Sequence, residues 1–120
     1  MSVIDEFDRG WQQVSDSEEK EWRRIFQSSR EGVNLTAPCP VCGHRSLHRY
    51  YHLEKQQPHT LGRKQFIGTG SLWEWCSNCR TYDHFSAAVP DWWSSDLSPD
   101  ITNLRHHPAE VERARKRRDP

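Results

Sequence analysis

Apolar side chains are scarce in this chain of 120 residues: the hydrophobic fraction is 33%, where an ordinary globular domain runs near about half. The length suits one domain, and a core this lean needs help from a metal ion or a partner. No stretch approaches the roughly 18 consecutive apolar residues of a membrane span, and no basic start followed by an apolar run marks an export signal. A soluble, cytoplasmic protein without a membrane partner is expected. Net charge is lacking too, since 17 Lys and Arg balance 17 Asp and Glu, which counts against bulk electrostatic attraction to nucleic acid or an anionic surface. There are no internal repeats beyond one doubled cysteine motif.

What charge there is comes in blocks. Asp5, Glu6, Asp8, Asp16, Glu18, Glu19 and Glu21 make the start acidic, while RARKRR at 113–118 makes the end basic. Ile4, Phe7, Trp11 and Val14 recur at spacings of three and four, predicting a helix over 3–14 with Ser2 as its N-cap. Ser15 and Glu18 have capping-box spacing, Trp22, Ile25 and Phe26 share a face, and Gly32 offers a stop, predicting a second helix. Alternation then predicts a strand over 46–54, a polar loop over 55–64 and two short strands around the Gly-Thr-Gly of FIGTGSLWEW. RTYDHFSAAV reads as one further strand before Pro90. Residues 91–107 read as a loop anchored by Trp92, Trp93, Leu97, Ile101 and Leu104, and Pro108 opens a loosely attached terminal helix.

Cys39-Pro-Val-Cys42-Gly and Cys76-Ser-Asn-Cys79 carry the chemistry. Two residues between cysteines let a tight turn aim both thiolates at one ion, and two such turns complete a tetrahedral site. Without an export signal, four cysteines point to a metal rather than disulfides. His44, His48, His52 and His84 lie nearby in sequence, so a Cys₃His set or a second metal stays open. Neither pair follows a βα unit whose helix start would lower a thiol pKa, which counts against thioredoxin-type redox chemistry.

CPVCG, then strands, then WCSNC resembles the zinc-ribbon family over residues 37–87. The resemblance implies one structural Zn²⁺ held by Cys39, Cys42, Cys76 and Cys79 on two knuckles joined by a hairpin. Arg80 departs from the pattern by standing where the first knuckle has Gly43, so a less regular second turn is expected. The resulting expectation is an α+β fold. An N-terminal helical hairpin (1–34) packs on a small antiparallel zinc-ribbon sheet (35–90), followed by a Trp-anchored loop and a short basic helix (91–120), all in one compact domain. Trp73 and Trp75 share a strand face and would receive the stripe of Trp11, Trp22, Ile25 and Phe26.

A closed four-sulfur site leaves no position for water, so the expected function is non-enzymatic, with no small-molecule substrate. Trp92 and Trp93 are candidate anchors for another protein, because tryptophan dominates binding hot spots. In general character the chain is similar to small bacterial adaptors and to immunity proteins that neutralise a toxin. The alternative is a nucleic-acid-binding or transcription-associated ribbon. It would use Arg45, His48, Arg49, Tyr50 and His52, with Arg113, Arg115, Lys116, Arg117 and Arg118 from the tail. A zinc-dependent hydrolase built on His48, His52 and His84 comes last, since no paired carboxylates or activated nucleophile accompany them.

Overall fold

The structure, a computed structural model, describes residues 6–93 and 96–120. A single 3₁₀ turn at Glu6–Asp8 leads to β1 (Gln12–Gln13), α1 (Asp16–Ser28), β2 (Leu47–Leu61), β3 (Lys64–Cys76) and β4 (Thr81–Pro90). A second 3₁₀ turn at Ile101–Asn103 precedes α2 (Ala109–Arg118). The strands form one mixed sheet in the order β1-β4-β3-β2, antiparallel except where β1 runs parallel to β4.

The expected helical hairpin on an antiparallel ribbon does not form. Ser2 and Ile4 lie outside the described residues. Phe7 and Trp11 do meet, with Trp11 Nε1 donating to the Phe7 carbonyl, but the chain turns at Gly10 and leaves the helical path. The Gln12 and Val14 amides then donate to the Arg80 and Tyr82 carbonyls at 3.0 and 2.8 Å. The three-and-four spacing is therefore met by one turn followed by an extended segment on a sheet edge. Among the described residues α1 is the one N-terminal α-helix, with Asp16, Glu18 and Glu19 in its first turn, where the helix dipole favours acids. Ser15 Oγ bonds the Glu18 carboxylate at 2.8 Å rather than a backbone amide.

Strand lengths also depart from the sequence pattern. Residues 55–61, expected as loop, continue β2, and β2 and β3 meet across a two-residue turn between Leu61 and Lys64. Residues 54–65 are exposed apart from the half-buried His59. This projecting arm goes with a longest dimension of 50 Å against 32 and 27 Å. Pro58 is tolerated because β2 is an edge strand and its register shifts between Gln56 and His59. The Gly-Thr-Gly is not a turn but part of continuous β3. A Cβ at Gly68 would stand 2.0 Å from the Lys55 carbonyl oxygen, and one at Gly70 would stand 2.5 Å from that of His52. These glycines let two backbones pass closely.

Cross-strand partners share a face, so the register assigns two. Tyr50, Trp73, Trp75 and Tyr82 form one aromatic face, joined by Trp11, Leu97, Leu104, Val111 and Ala114. The opposite face carries Leu47, Cys76 and the α1 stripe of Trp22, Ile25 and Phe26. Its continuation is Leu72, Val89 and Trp93. Trp73 and Trp75 thus receive α2, while the α1 stripe lies on the other side with the cysteines. Nor is α2 loosely attached: Val111 is fully buried, and Glu112 accepts from Trp75 Nε1 at 3.2 Å. A short helix with few apolar residues is held because the aromatic face supplies the contact area.

Candidate metal centre

The sulfurs of Cys39, Cys42, Cys76 and Cys79 all lie within 4.8 Å of one another, the first two from the loop before β2, Cys76 from the end of β3 and Cys79 from the turn into β4. Cys39 and Cys79 are 3.8 Å apart, and Cys42 and Cys76 are 3.6 Å apart. Four sulfurs placed tetrahedrally at about 2.3 Å from a zinc ion stand about 3.8 Å from one another. The cluster therefore has the dimensions of a four-thiolate metal site, with all four cysteines free.

Both knuckles use the same backbone device. The Gly43 amide donates to the Cys39 carbonyl at 2.8 Å, and the Arg80 amide donates to that of Cys76 at 3.0 Å. Gly43 sits at φ +80 and Arg80 at φ +61. The second turn is as regular as the first, with an arginine held in a conformation that favours glycine. Arg80 has compensating contacts: its guanidinium donates to the Arg9 carbonyl and lies over the Trp11 ring, 5.1 Å from the centroid.

Hydrogen-bond donors surround the sulfurs. The Val41 amide reaches Cys39 Sγ at 3.4 Å, the Cys79 amide reaches Cys76 Sγ at 3.5 Å, and Asn78 Nδ2 reaches Cys42 Sγ at 3.4 Å. Ser46 Oγ is 3.0 Å from Cys76 Sγ. Burial pushes the Cys39 thiol up. At Cys42 burial acts the same way, but donors from His44, Asn78 and the neighbouring cysteines outweigh it and hold that thiol below its usual value. Cys39 and Cys76 are buried beside Trp22, Phe26, Leu35 and Leu47, so the centre is continuous with the core under α1.

The histidines near the cysteines in sequence go elsewhere; among the described residues the clustered set consists of the four cysteines. His48 Nδ1–H donates to Asn34 Oδ1 at 2.7 Å, leaving Nε2 to accept from the Ser77 hydroxyl at 3.0 Å. His84 stacks on Trp73 with ring centroids 4.5 Å apart. His44 is exposed, and His52 is half-buried on β2.

The nucleic-acid candidates divide in the same way. His48, Arg49 and Tyr50 are buried at 7%, 4% and 6% exposure, while Arg45 is exposed and donates to the Thr36 carbonyl at 2.7 Å. Arg113 faces Glu110 and Asp8, Arg115 faces Glu112, Arg117 reaches Glu110, and Arg118 pairs with Asp96 and Asp119. Lys116 lies over the Phe7 ring. The basic run is thus balanced by acids around it.

Trp92 and Trp93 are split by burial, at 37% and 6% exposure. The Arg49 guanidinium lies 5.4 Å from the Trp92 ring and 5.0 Å from the Trp93 ring, and Arg30 covers Trp92 at 5.5 Å. Tyr51 packs edge-on against Trp93. The role of Arg30 was not visible in the sequence, because 62 positions' worth of fold separates it from Trp92 with no periodic signal. Glu74 and Asp83 oppose each other on the α1 face. Burial, with Asp83 beside it, pushes Glu74 up to about 8, although Trp22 Nε1 donates to it at 3.1 Å. Among the described residues no helix is long and apolar enough to cross a membrane. Compared with protein-family models, curated proteins and solved structures, the chain matches none of them.

Proposed function

We propose that Cys39, Cys42, Cys76 and Cys79 hold one structural zinc ion. The chain then serves as a non-catalytic module that captures another protein, as adaptors and toxin-neutralising proteins do. The metal assignment rests on the sulfur spacing, since a tetrahedral set of four thiolates suits zinc, with iron as the competitor. Such a set is complete without water or substrate. Glu74 and Asp83 are buried at 6% and 7% exposure, which keeps this carboxylate pair from a substrate.

Partner capture rests on Trp92. Its large indole is left partly in solvent while Arg30 and Arg49 hold it in place, and a tryptophan ordered before binding loses little freedom on docking. The phosphate-binding alternative has less to stand on. Arg49 and Tyr50 are inside the fold, and the tail arginines face carboxylates.

Native mass spectrometry of the protein purified from its own host tests both parts. One zinc per chain and a stoichiometric protein partner are expected, with Trp92→Ala losing the partner at an unchanged melting temperature. Iron or no metal would overturn the zinc assignment. Copurifying nucleic acid that dissociates steeply with salt would overturn the protein-partner reading.

A further inference from the structure

β4 has β3 along one side, but on the other side β1 meets it only at Thr81 and Tyr82. From Asp83 to Val89, no strand among the described residues covers that outer side. The direction of the backbone groups follows from Tyr82, whose carbonyl accepts the Val14 amide on the outer side. Alternate residues of a strand point their N–H and C=O the same way, so His84, Ser86 and Ala88 also face outward. The His84 amide bonds the Asp83 carboxylate at 3.0 Å. Among the described residues, the outward amides and carbonyls of Ser86 and Ala88 meet no partner strand.

Between Asp83 and Pro90, which bound it, this edge carries none of the devices that usually blunt one. Residues 84–89, His-Phe-Ser-Ala-Ala-Val, contain no lysine, no carboxylate and no proline, the features by which natural sheets discourage edge pairing. Phe85 stands 36% exposed on the α1 face, two positions from the small Ala87 on that same face.

We propose that this edge pairs with the same edge of a second copy, antiparallel, about a two-fold axis at Ser86. Three features single out a second copy. The first is the window: β1 blocks the edge at Tyr82, Pro90 ends it, and these two stand equally far from Ser86. Only a pairing centred there uses the whole free edge of both chains. The second is shape, because that register sets each Phe85 opposite Ala87 of the other copy, ring over methyl on one face. The third is charge. His84 lies opposite Ala88 and Ser86 opposite Ser86, so no like charges meet, and the zero net charge adds no long-range repulsion. Outward groups face outward groups throughout, and with the His84 amides kept by Asp83 the antiparallel ladder supplies about four backbone hydrogen bonds, from the Ser86 and Ala88 amides of each copy. A closed two-fold pair results, with the same patch on both subunits.

Sedimentation velocity over a wide dilution series reads this directly. The zinc-loaded full chain is expected to run as two chains when concentrated and as one when dilute. Ser86→Lys sets two cations face to face on an exposed position and should raise the dissociation constant at least about tenfold, with the thermal melt of the dilute protein unchanged. Amide exchange needs no variant: the Ser86 and Ala88 amides should be protected in concentrated protein and exchange freely on dilution. A single-chain mass at every concentration overturns the proposal. So do a pair undiminished by Ser86→Lys and edge amides whose exchange ignores concentration.

Discussion

At position 48 a histidine has become an interior group. Both ring nitrogens are engaged by Asn34 and Ser77, and burial, with Arg115 as a lesser cause, lowers its pKa to about 3. An unfolded histidine titrates near about 6.5. Below that pH the unfolded chain gains a proton that the folded chain refuses, so folding stability from this residue is intact above pH 6.5. It is lost as pH falls toward 3, by about 1.4 kcal/mol per pH unit. Between pH 6.5 and 4.5 the loss should be about 2–3 kcal/mol. Urea midpoints across that range, with bound metal followed in the same samples, should show a shallower acid slope for His48→Gln; an unchanged slope would sink the assignment. The contrast with the cysteines shows what was legible at this scale. A C-x-x-C pair announces its geometry within four residues. The burial of His48 depends on Asn34 and Ser77, which no local pattern links, so in the sequence it reads as a candidate nucleic-acid contact instead.

Among the elements, α1 ends in an unusual way. It has no basic residue in its last turn. Instead Arg49 of β2 donates to the carbonyls of Phe26 at 2.9 Å, Ser29 at 3.0 Å, Gly32 at 3.2 Å and also Glu31. The planar guanidinium serves several carbonyls at once while its face lies over Trp92 and Trp93, a task the single ammonium of lysine cannot copy. Arg49→Lys should therefore cost about 2–3 kcal/mol, the range for lost charged hydrogen bonds in a buried site. It should also speed amide exchange at the end of α1. Arg45→Lys, on the surface, should leave the urea midpoint nearly unmoved; equal effects of the two substitutions would refute the capping role. The same element level explains the errors in strand length. The helix stripe of Trp22, Ile25 and Phe26 was readable because one face is buried. The arm over 55–64 buries almost nothing, so its identity as strand comes from pairing and leaves no apolar alternation to read.

In the whole molecule, two half-cores lie on opposite faces of one sheet. The aromatic face under α2 is built from large side chains at 50, 73, 75 and 82, whereas the α1 face is closed by Leu35, Leu47 and the buried sulfurs of Cys39 and Cys76. The two loops that bring those sulfurs together are far apart in sequence and meet only through the β2–β3 pairing, so a metal ion held there would fasten both ends of the sheet's long hairpin to α1. The magnitudes decide how far its loss should spread. Structural zinc binds zinc-finger peptides with an apparent free energy of about 10–16 kcal/mol at neutral pH, and a whole domain is stable by only about 5–15 kcal/mol. Loss of the proposed zinc would exceed what the aromatic face can hold alone. Chelation at neutral pH should therefore abolish the near-ultraviolet circular dichroism of the tryptophans on both faces in one cooperative step, and added zinc should restore it. Cys39→Ser should fail to recover with zinc. A chelated protein that kept the signals of Trp73 and Trp75 while losing only that of Trp22 would mean that the aromatic half folds independently and that the ion secures the α1 half alone.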